Sequence, residues 1–530
     1  MRKFKRFSML VVISLLLSAV AIAPTSAGTV QAGGSFVYNL YATDAYIPLA
    51  DGSAVYNYGF VGGRPTQTTP PTPFVFQRSV IPGTVTDTVT GLATSFTYNG
   101  NGSIANGVPA PTGGPVIGDE ASLQGNAQFP APLIYAVVGD IVEIRLKNLG
   151  TTVAAAPNDP HSIHLHGLDV DAANDGVPET SVGAIPANLC SDGNTAAPGA
   201  SCVTPAPGAG NVVVYMFSPK FAGTTMYHCH QEASIHVQMG MYGALVVYNR
   251  GDPAAITGPG TGKGGGTLYG WKYDKDYVLL ESEIGPAQHV SEEISGVYNP
   301  VDYHPTYWFL NGLSFPNTIH VGLPELTQGT GWSDWIAAHP GYDPFIKGSV
   351  SKTHPGTSIP KGDKVLIRMI NMGYETQPMH MHAFHGKVIG SDQRAWYWSN
   401  VPQQPFGLGL EKNTLTIGSG ETYDWLVNFG EQALNSTYPV GTQTRYDPAT
   451  KLPVVNTQTN PPAIRWPAVP TGDPYIPGPK VCGAVGPGPD PVPCTSTSSQ
   501  LFPFHNHDDY KATNNGSYPG GMFTMLMPTP

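Results

Sequence analysis

One pattern is written twice in this chain. Residues 139–150, Gly-Asp-Ile-Val-Glu-Ile-Arg-Leu-Lys-Asn-Leu-Gly, recur at 362–373 as Gly-Asp-Lys-Val-Leu-Ile-Arg-Met-Ile-Asn-Met-Gly, so both copies read Gly-Asp-x-Val-x-Ile-Arg-x-x-Asn-x-Gly. The Gly-Asp pair opens a turn, and the β-branched alternation behind it is a strand signal. Each copy is followed, after a short loop, by a His-x-His pair: His164-Leu165-His166 and His380-Met381-His382. The same strand trailed by the same chemistry argues for a duplicated fold. No long stretch carries helical periodicity. Short strands between turns, in a chain of 530 residues with 63 Gly and 52 Pro, predict an all-β class built from Greek-key barrels or sandwiches.

The length allows two domains, each with a sizeable core. The first is expected over 33–250, closing on the strand Tyr242 to Tyr248, and the second over 271–530, opening with Tyr277 to Glu281. Between them, 251–270 reads as a linker, densest in glycine from Gly258 to Gly266. A Pro-rich stretch at about 439–493 lengthens the second half and reads as a surface insertion. The N-terminus carries Arg2, Lys3, Lys5 and Arg6, an apolar run from Met9 to Ala23, and small residues that suit cleavage after Ala27 or Ala32. That run is short for a membrane span, so 1–32 is expected to be a secretory signal peptide. An exported protein, periplasmic or extracellular and without a stable membrane anchor, is the consequence.

Removing 1–32 takes away basic residues only and makes the formal charge of -11 more negative still. Such a surface repels nucleic acid and favours cations. Cys190 and Cys202 share one Pro/Gly/Ala-rich loop, and Cys482 and Cys494 share another. In an exported protein they read as two local disulfides, which leaves Cys229 unpaired.

Cys229 stands inside Tyr227-His228-Cys229-His230, with His236 and Met241 following. A thiolate, two imidazoles and a thioether form the ligand set of a blue, type 1 copper centre, where softness and a weak axial Met select the metal. A fourth pair, His505-Asn506-His507, brings the His-x-His histidines to eight. Any one histidine is more often structural, but four such pairs with a single cysteine inside one of them are not. Zinc also suits histidine-rich sites, yet it gives no reason for the Cys-His-Met set. On a strand, alternate residues share a face, so His164 and His166 can meet one cluster while His161, three positions earlier, points elsewhere, toward Cys229. At the matching positions the second half has Gln377 and Asn506, so no second blue copper is expected there.

The four histidine pairs, the Cys-centred motif and Ala222-Gly223-Thr224-Thr225-Met226-Tyr227-His228 resemble the multicopper oxidases, the family of laccases, ascorbate oxidase and ceruloplasmin. Loss of the type 1 ligands from one domain, with cluster histidines kept in both, resembles the two-domain members that hold the blue copper in the first domain. The resemblance implies two cupredoxin domains and about four coppers per chain: one type 1, one type 2 and a type 3 pair. It implies His161, Cys229, His236 and Met241 for type 1, with Met241 preferred over Met239 because the family places its Met five residues after the histidine. It implies His164 and His380 for type 2, and His166, His228, His230, His382, His505 and His507 for type 3. Asp175 resembles the laccase carboxylate that helps supply protons during oxygen reduction, and it reads equally well as the first residue of an Asp-Gly turn.

The implied activity is laccase-like. Phenol or aromatic-amine donors would be oxidised one electron at a time, with four-electron reduction of dioxygen to water. The partners are then dioxygen and a small reducing substrate. The alternatives are a metal-ion oxidase for Mn(II), Fe(II) or, with no Met-rich insertion to support it, Cu(I), and a non-catalytic copper electron-transfer protein. A copper nitrite reductase needs only three histidines at its second copper, and this chain has too many. The resemblance also implies a homotrimer, in which the first domain of one subunit meets the second domain of its neighbour and the ring closes; a monomer with an internal cluster is the other arrangement.

Overall fold

The computed structural model describes residues 35–63, 83–86, 93–96, 123–186, 212–257, 260, 262, 264–319, 346–349, 352–353, 360–396, 410–429, 443–446, 453–456 and 502–529. The expected signal peptide, both cysteine pairs and most of the 439–493 stretch lie outside the described residues. Within that stretch, Gln443–Tyr446 and Pro453–Asn456 pair as antiparallel strands. Among the described residues no helix is long and apolar enough to cross a membrane.

Residues 34–530 form one compact unit containing two β-sandwiches. The first is built from β1 (Ser35–Pro48), β2 (Ala54–Gly63), β3 (Ile134–Val137), β4 (Ile141–Asn148), β5 (His164–Leu165), β6 (Val212–Phe217), β7 (Gly223–His228) and β8 (Tyr242–Tyr248). Its two sheets run β2-β1-β4-β6 and β3-β8-β7-β5. The second uses β9 (Lys275–Ile284), β10 (Tyr307–Leu310), β11 (Ile346–Ser349), β12 (Lys364–Asn371), β13 (Gln377–Met381), β14 (Gly386–Ser391), β15 (Arg394–Ala395), β16 (Glu411–Lys412), β17 (Thr414–Ile417), β18 (Thr422–Asn428), β19 (Phe502–Asn506) and β20 (Phe523–Thr529). Its sheets run β10-β9-β12-β18-β14-β15, with β16 on β14, and β11-β20-β19-β13-β17.

The duplication read from the repeated segment extends to the topology. The two copies are β4 and β12. Each lies parallel to the first strand of its sandwich, β1 or β9, and antiparallel to β6 or β18. In the opposite sheets, β3-β8-β7-β5 and β11-β20-β19-β13 follow the same order with the same directions. The all-β, cupredoxin-like class expected from the sequence is what the chain forms.

The strands that join the sandwiches are apolar on both faces, and strand alternation says why. Along β8, Leu245 and Val247 enter the first sandwich's core, while Ala244, Val246 and Tyr248 enter a layer shared with the second. Along β9, Tyr277 and Leu279 enter the second core, and Val278 and Leu280 enter the shared layer. Each of the leucines and valines among them, fully buried, contributes roughly 1.5–3 kcal/mol. β12 repeats the pattern with one exception, because Arg368 falls on the shared-layer side between Leu366 and Ile370 and is buried. Its Nε donates to Asp276 Oδ2 at 2.8 Å, Nη1 donates to Thr224 Oγ1 at 3.1 Å, and Asp424 Oδ1 lies 3.6 Å away. The Gly-rich linker is tied down as well. Gly260 donates its N–H to the Tyr248 hydroxyl, Gly262 to Asp276 O, and Ala254 to Gly265 O.

Candidate metal centre

Cys229 follows the last residue of β7 and is completely buried. Its Sγ lies 3.8 Å from His161 Nδ1 and 3.5 Å from His236 Nδ1, and the donor atoms of all three residues fall within 4.8 Å of one another. Ligands on one ion with bonds of about 2.0–2.3 Å span such separations. His161 stands with Cys229 and His236, while His164 and His166 group with His228. His161 is fixed by a two-way backbone bridge with Ala184, and His236 ends the short helix α1 (Ala233–His236). Cys229 N–H donates to Met241 O at 2.9 Å and Met241 N–H to His236 O, so backbone bonds stitch the loop closed around the buried Met241. The Ser162 N–H faces the Cys229 sulfur at 3.4 Å, while its hydroxyl accepts from the His230 N–H. One residue therefore steadies both the thiol and its histidine neighbour.

His164, His166, His228 and His230 form a quartet. The β5–β7 register sets His164 directly opposite His228, and neighbouring rings lie 4.9–5.7 Å apart. The β13–β19 register sets His380 opposite His505 in the same way, and with His382 and His507 they make a second quartet with rings 4.9–5.8 Å apart. In both, the Nδ1 of the histidine on β7 or β19 bonds the next residue's carbonyl at 2.8 Å, His228 to Cys229 O and His505 to Asn506 O. A donating Nδ1 leaves Nε2 with a free lone pair to ligate. The Nε2 atoms converge accordingly, His166 on His228 at 2.9 Å and His382 on His505 at 3.1 Å. Among the described residues no ring contact joins one quartet to the other.

Electrostatics suit metal uptake. Burial, reinforced by neighbouring imidazoles, holds His166 down to about 4 and His228 down to about 3. Burial likewise lowers His161, His380, His382 and His505. These histidines are proton-free at neutral pH, the form that binds a metal. For His236, burial opposes the charge, but Asp159 and Cys229 outweigh it and push the ring up to about 10. Asp175 packs against His164, its carbonyl oxygen 2.8 Å and its Oδ1 3.4 Å from Nδ1. Gly176, which follows it, has φ +76°, and a Cβ there would collide with Ile163 O. Asp175 thus orients His164 through its backbone.

A sequence model of the family described as multicopper oxidase matches residues 105–251 and 325–429. The two stretches together make up just under half of the chain, which is similar to the multicopper oxidases over them. No curated protein matches it by sequence. Among solved structures it is similar to the blue copper oxidase from Nitrosomonas europaea, at 18% identity over 93% of this chain and 85% of that one, TM-score 0.46. It is also similar to the multicopper oxidase mgLAC, at 18% identity over 93% and 86%, TM-score 0.45. A third is the multicopper oxidase Fet3p, at 13% identity over 93% and 52%, TM-score 0.42.

The second sandwich shows what stands in place of a thiolate site. Asn506 N–H donates to Met522 O at 2.9 Å, as Cys229 does to Met241 O, so Asn506 and Met522 stand where Cys229 and Met241 stand. Asn506 Nδ2 donates to Gln377 Oε1 at 2.7 Å, and Gln377 Nε2 donates to Glu283 Oε2 at 2.9 Å. Lys511 Nζ closes the side, donating to Thr376 O at 2.6 Å. Amides that satisfy one another have taken the place of donors that converge on an ion. Gln377 and Asn506 were legible as missing ligands; Glu283, Lys511 and Met522 were not, since no motif marks them.

Proposed function

We propose that this chain is a laccase-like oxidase that takes single electrons from a small donor at the Cys229 site and uses them to reduce dioxygen to water. Bound copper would supply the one-electron redox chemistry and the reaction with oxygen. The donor sets fit it: a buried thiol with two Nδ1 atoms facing it for type 1, and two quartets with converging Nε2 atoms for types 2 and 3. In this reading His161, Cys229, His236 and Met241 hold the type 1 ion, His164 and His380 the type 2 ion, and the remaining six histidines the type 3 pair, about four ions per chain.

The observation that carries the reading is the chain continuity of His228-Cys229-His230, with the thiol in one site and both imidazoles in the next. Backbone bonds give electrons a short covalent route, so the donor never needs to meet oxygen. Asp175, beside His164, is the carboxylate proposed to help deliver protons. Two separate quartets, each formed in the same register, support head-to-tail pairing of chains into a homotrimer, with the first sandwich of one subunit facing the second of the next. The basic, apolar N-terminus supports export.

The deciding experiment is oxygen uptake by the copper-loaded protein with a phenol donor, alongside metal analysis. Uptake with about four coppers per chain is expected; one copper and no uptake would leave an electron carrier. Sedimentation tests the trimer, since a fully active species at the mass of one chain refutes it.

A further inference from the structure

Glu283 stands one residue before the end of β9, is 2% exposed, and carries a carboxylate ringed by donors. Its Oε1 accepts from the Tyr303 hydroxyl at 2.9 Å, from the Glu375 N–H at 3.1 Å and from the Tyr374 N–H, and its Oε2 accepts from Gln377 Nε2. From this residue hydrogen bonds lead to both sandwiches. Toward the first, Gln238, two residues past His236, donates from Nε2 to the Tyr303 hydroxyl at 3.0 Å and to the Glu283 carbonyl at 2.7 Å. The Tyr374 hydroxyl donates to Ala233 O, where α1 begins. Toward the second quartet the path runs through Gln377 to Asn506, whose Oδ1 accepts from the Asp508 N–H at 2.9 Å and whose carbonyl bonds His505 Nδ1.

The direction of this path has one source. An ionised carboxylate only accepts, whereas a side-chain amide presents an acceptor on one side and donors on the other. Gln377 must therefore turn its NH2 to Glu283 and its oxygen to Asn506. Asn506 must in turn give its NH2 to Gln377 and its oxygen to the Asp508 N–H, which closes the turn that holds His507.

We propose that Glu283 is a positioning residue for the second quartet: it dictates which way the Gln377 and Asn506 amides face and, through Asn506, the pose of the His505 and His507 rings. The inference rests on the oxidase reading, in which those histidines hold copper. In Glu283→Gln, the three donors at Oε1 claim the oxygen of the new amide, so its NH2 faces Gln377 Nε2. Gln377 has to turn, Asn506 has to turn after it, and an NH2 then meets the Asp508 N–H. No setting of the amides satisfies every donor. The mismatch falls on the histidine segment, while the Tyr303 arm toward His236 keeps its bonds. Moving the carboxylate one place along cures it, because in Glu283→Gln/Gln377→Glu the group at 377 accepts from both neighbouring amides.

Burial pushes Glu283 up to about 7, so parent and variants are compared above about pH 8, where the carboxylate is ionised. Copper is titrated into the metal-free full chain against a competing chelator, with electron paramagnetic resonance separating the blue ion from the others. Glu283→Gln should keep the parent's blue band and hold its remaining coppers about tenfold more weakly, and the double variant should regain the parent's affinity. Unchanged affinity in Glu283→Gln, or no recovery in the double variant, overturns the role of Glu283. A parent that binds one blue copper and no more overturns the oxidase reading instead. Urea unfolding of the metal-free proteins then decides the rest: Glu283→Gln and Gln377→Glu should each lower the midpoint and the double variant should restore it, whereas losses that simply add overturn the amide path.

Discussion

Replacing Asn506 with alanine tests whether the second sandwich has exchanged ligation for hydrogen bonding. Asn506 is completely buried, and its Nδ2 is the donor to Gln377 Oε1 at 2.7 Å. Gln377 is also completely buried, so truncation strands its carbonyl where water does not reach. That orphan costs about 1–3 kcal/mol. The lost packing against Met522 adds about 1 kcal/mol, giving about 2–4 kcal/mol in all. The Asp508 N–H, which donates to Asn506 Oδ1, is near the surface and exchanges that partner for water. All eight tryptophans lie at or beyond Trp271, so tryptophan fluorescence during urea unfolding reports on the second sandwich. The copper-free Asn506→Ala protein should unfold at correspondingly lower urea, and the copper-loaded variant should keep its blue band. A loss of stability below about 0.5 kcal/mol, or loss of the band, refutes the reasoning. Asn506→Cys is the companion: with Gln377 and Glu283 still opposite, the new thiol should raise no second blue band.

Cys229→Ser should abolish the intense visible band and nearly all donor oxidation while circular dichroism stays native, because a hydroxyl cannot replace a soft thiolate. Arg368→Met should destabilise the fold by about 3–5 kcal/mol in urea titrations, since it leaves Asp276 and Asp424 buried without their cation. Protons should compete with copper at His166 only near pH 4 and at His228 only near pH 3, so these two rings should keep their metal in mildly acid solution; pH-jump dialysis with metal analysis of a His164→Ala/His230→Ala variant checks this.

What could be read in the sequence was what chemistry constrains tightly. A thiolate, a thioether and paired imidazoles have few substitutes, and the two-residue period of a strand is enough to set His161 apart from His164 and His166. The repeated segment foretold the shared topology. The same segment concealed a difference, since Arg145 and Arg368 occupy matching positions, yet only Arg368 lies in the layer between sandwiches, where it is 1% exposed. Which face of a strand meets another sandwich depends on the assembled fold, and no local pattern encodes it. The hydrogen bonds that tie the glycine-rich linker to β9 and β8 have no signature in its composition.

The exchange of ligands for amides in the second sandwich bears on traffic as well as on composition. Under the proposed function each subunit has two histidine half-sites but a single doorway, so every reduced oxygen draws on four separate visits to the same spot. Donors of different kinds cannot be handled in parallel; they queue. Mixing two good donors should therefore give a rate between the two individual rates and never their sum, a kinetic signature that Gln377 and Asn506 impose by holding hands with each other where a second entrance would have been.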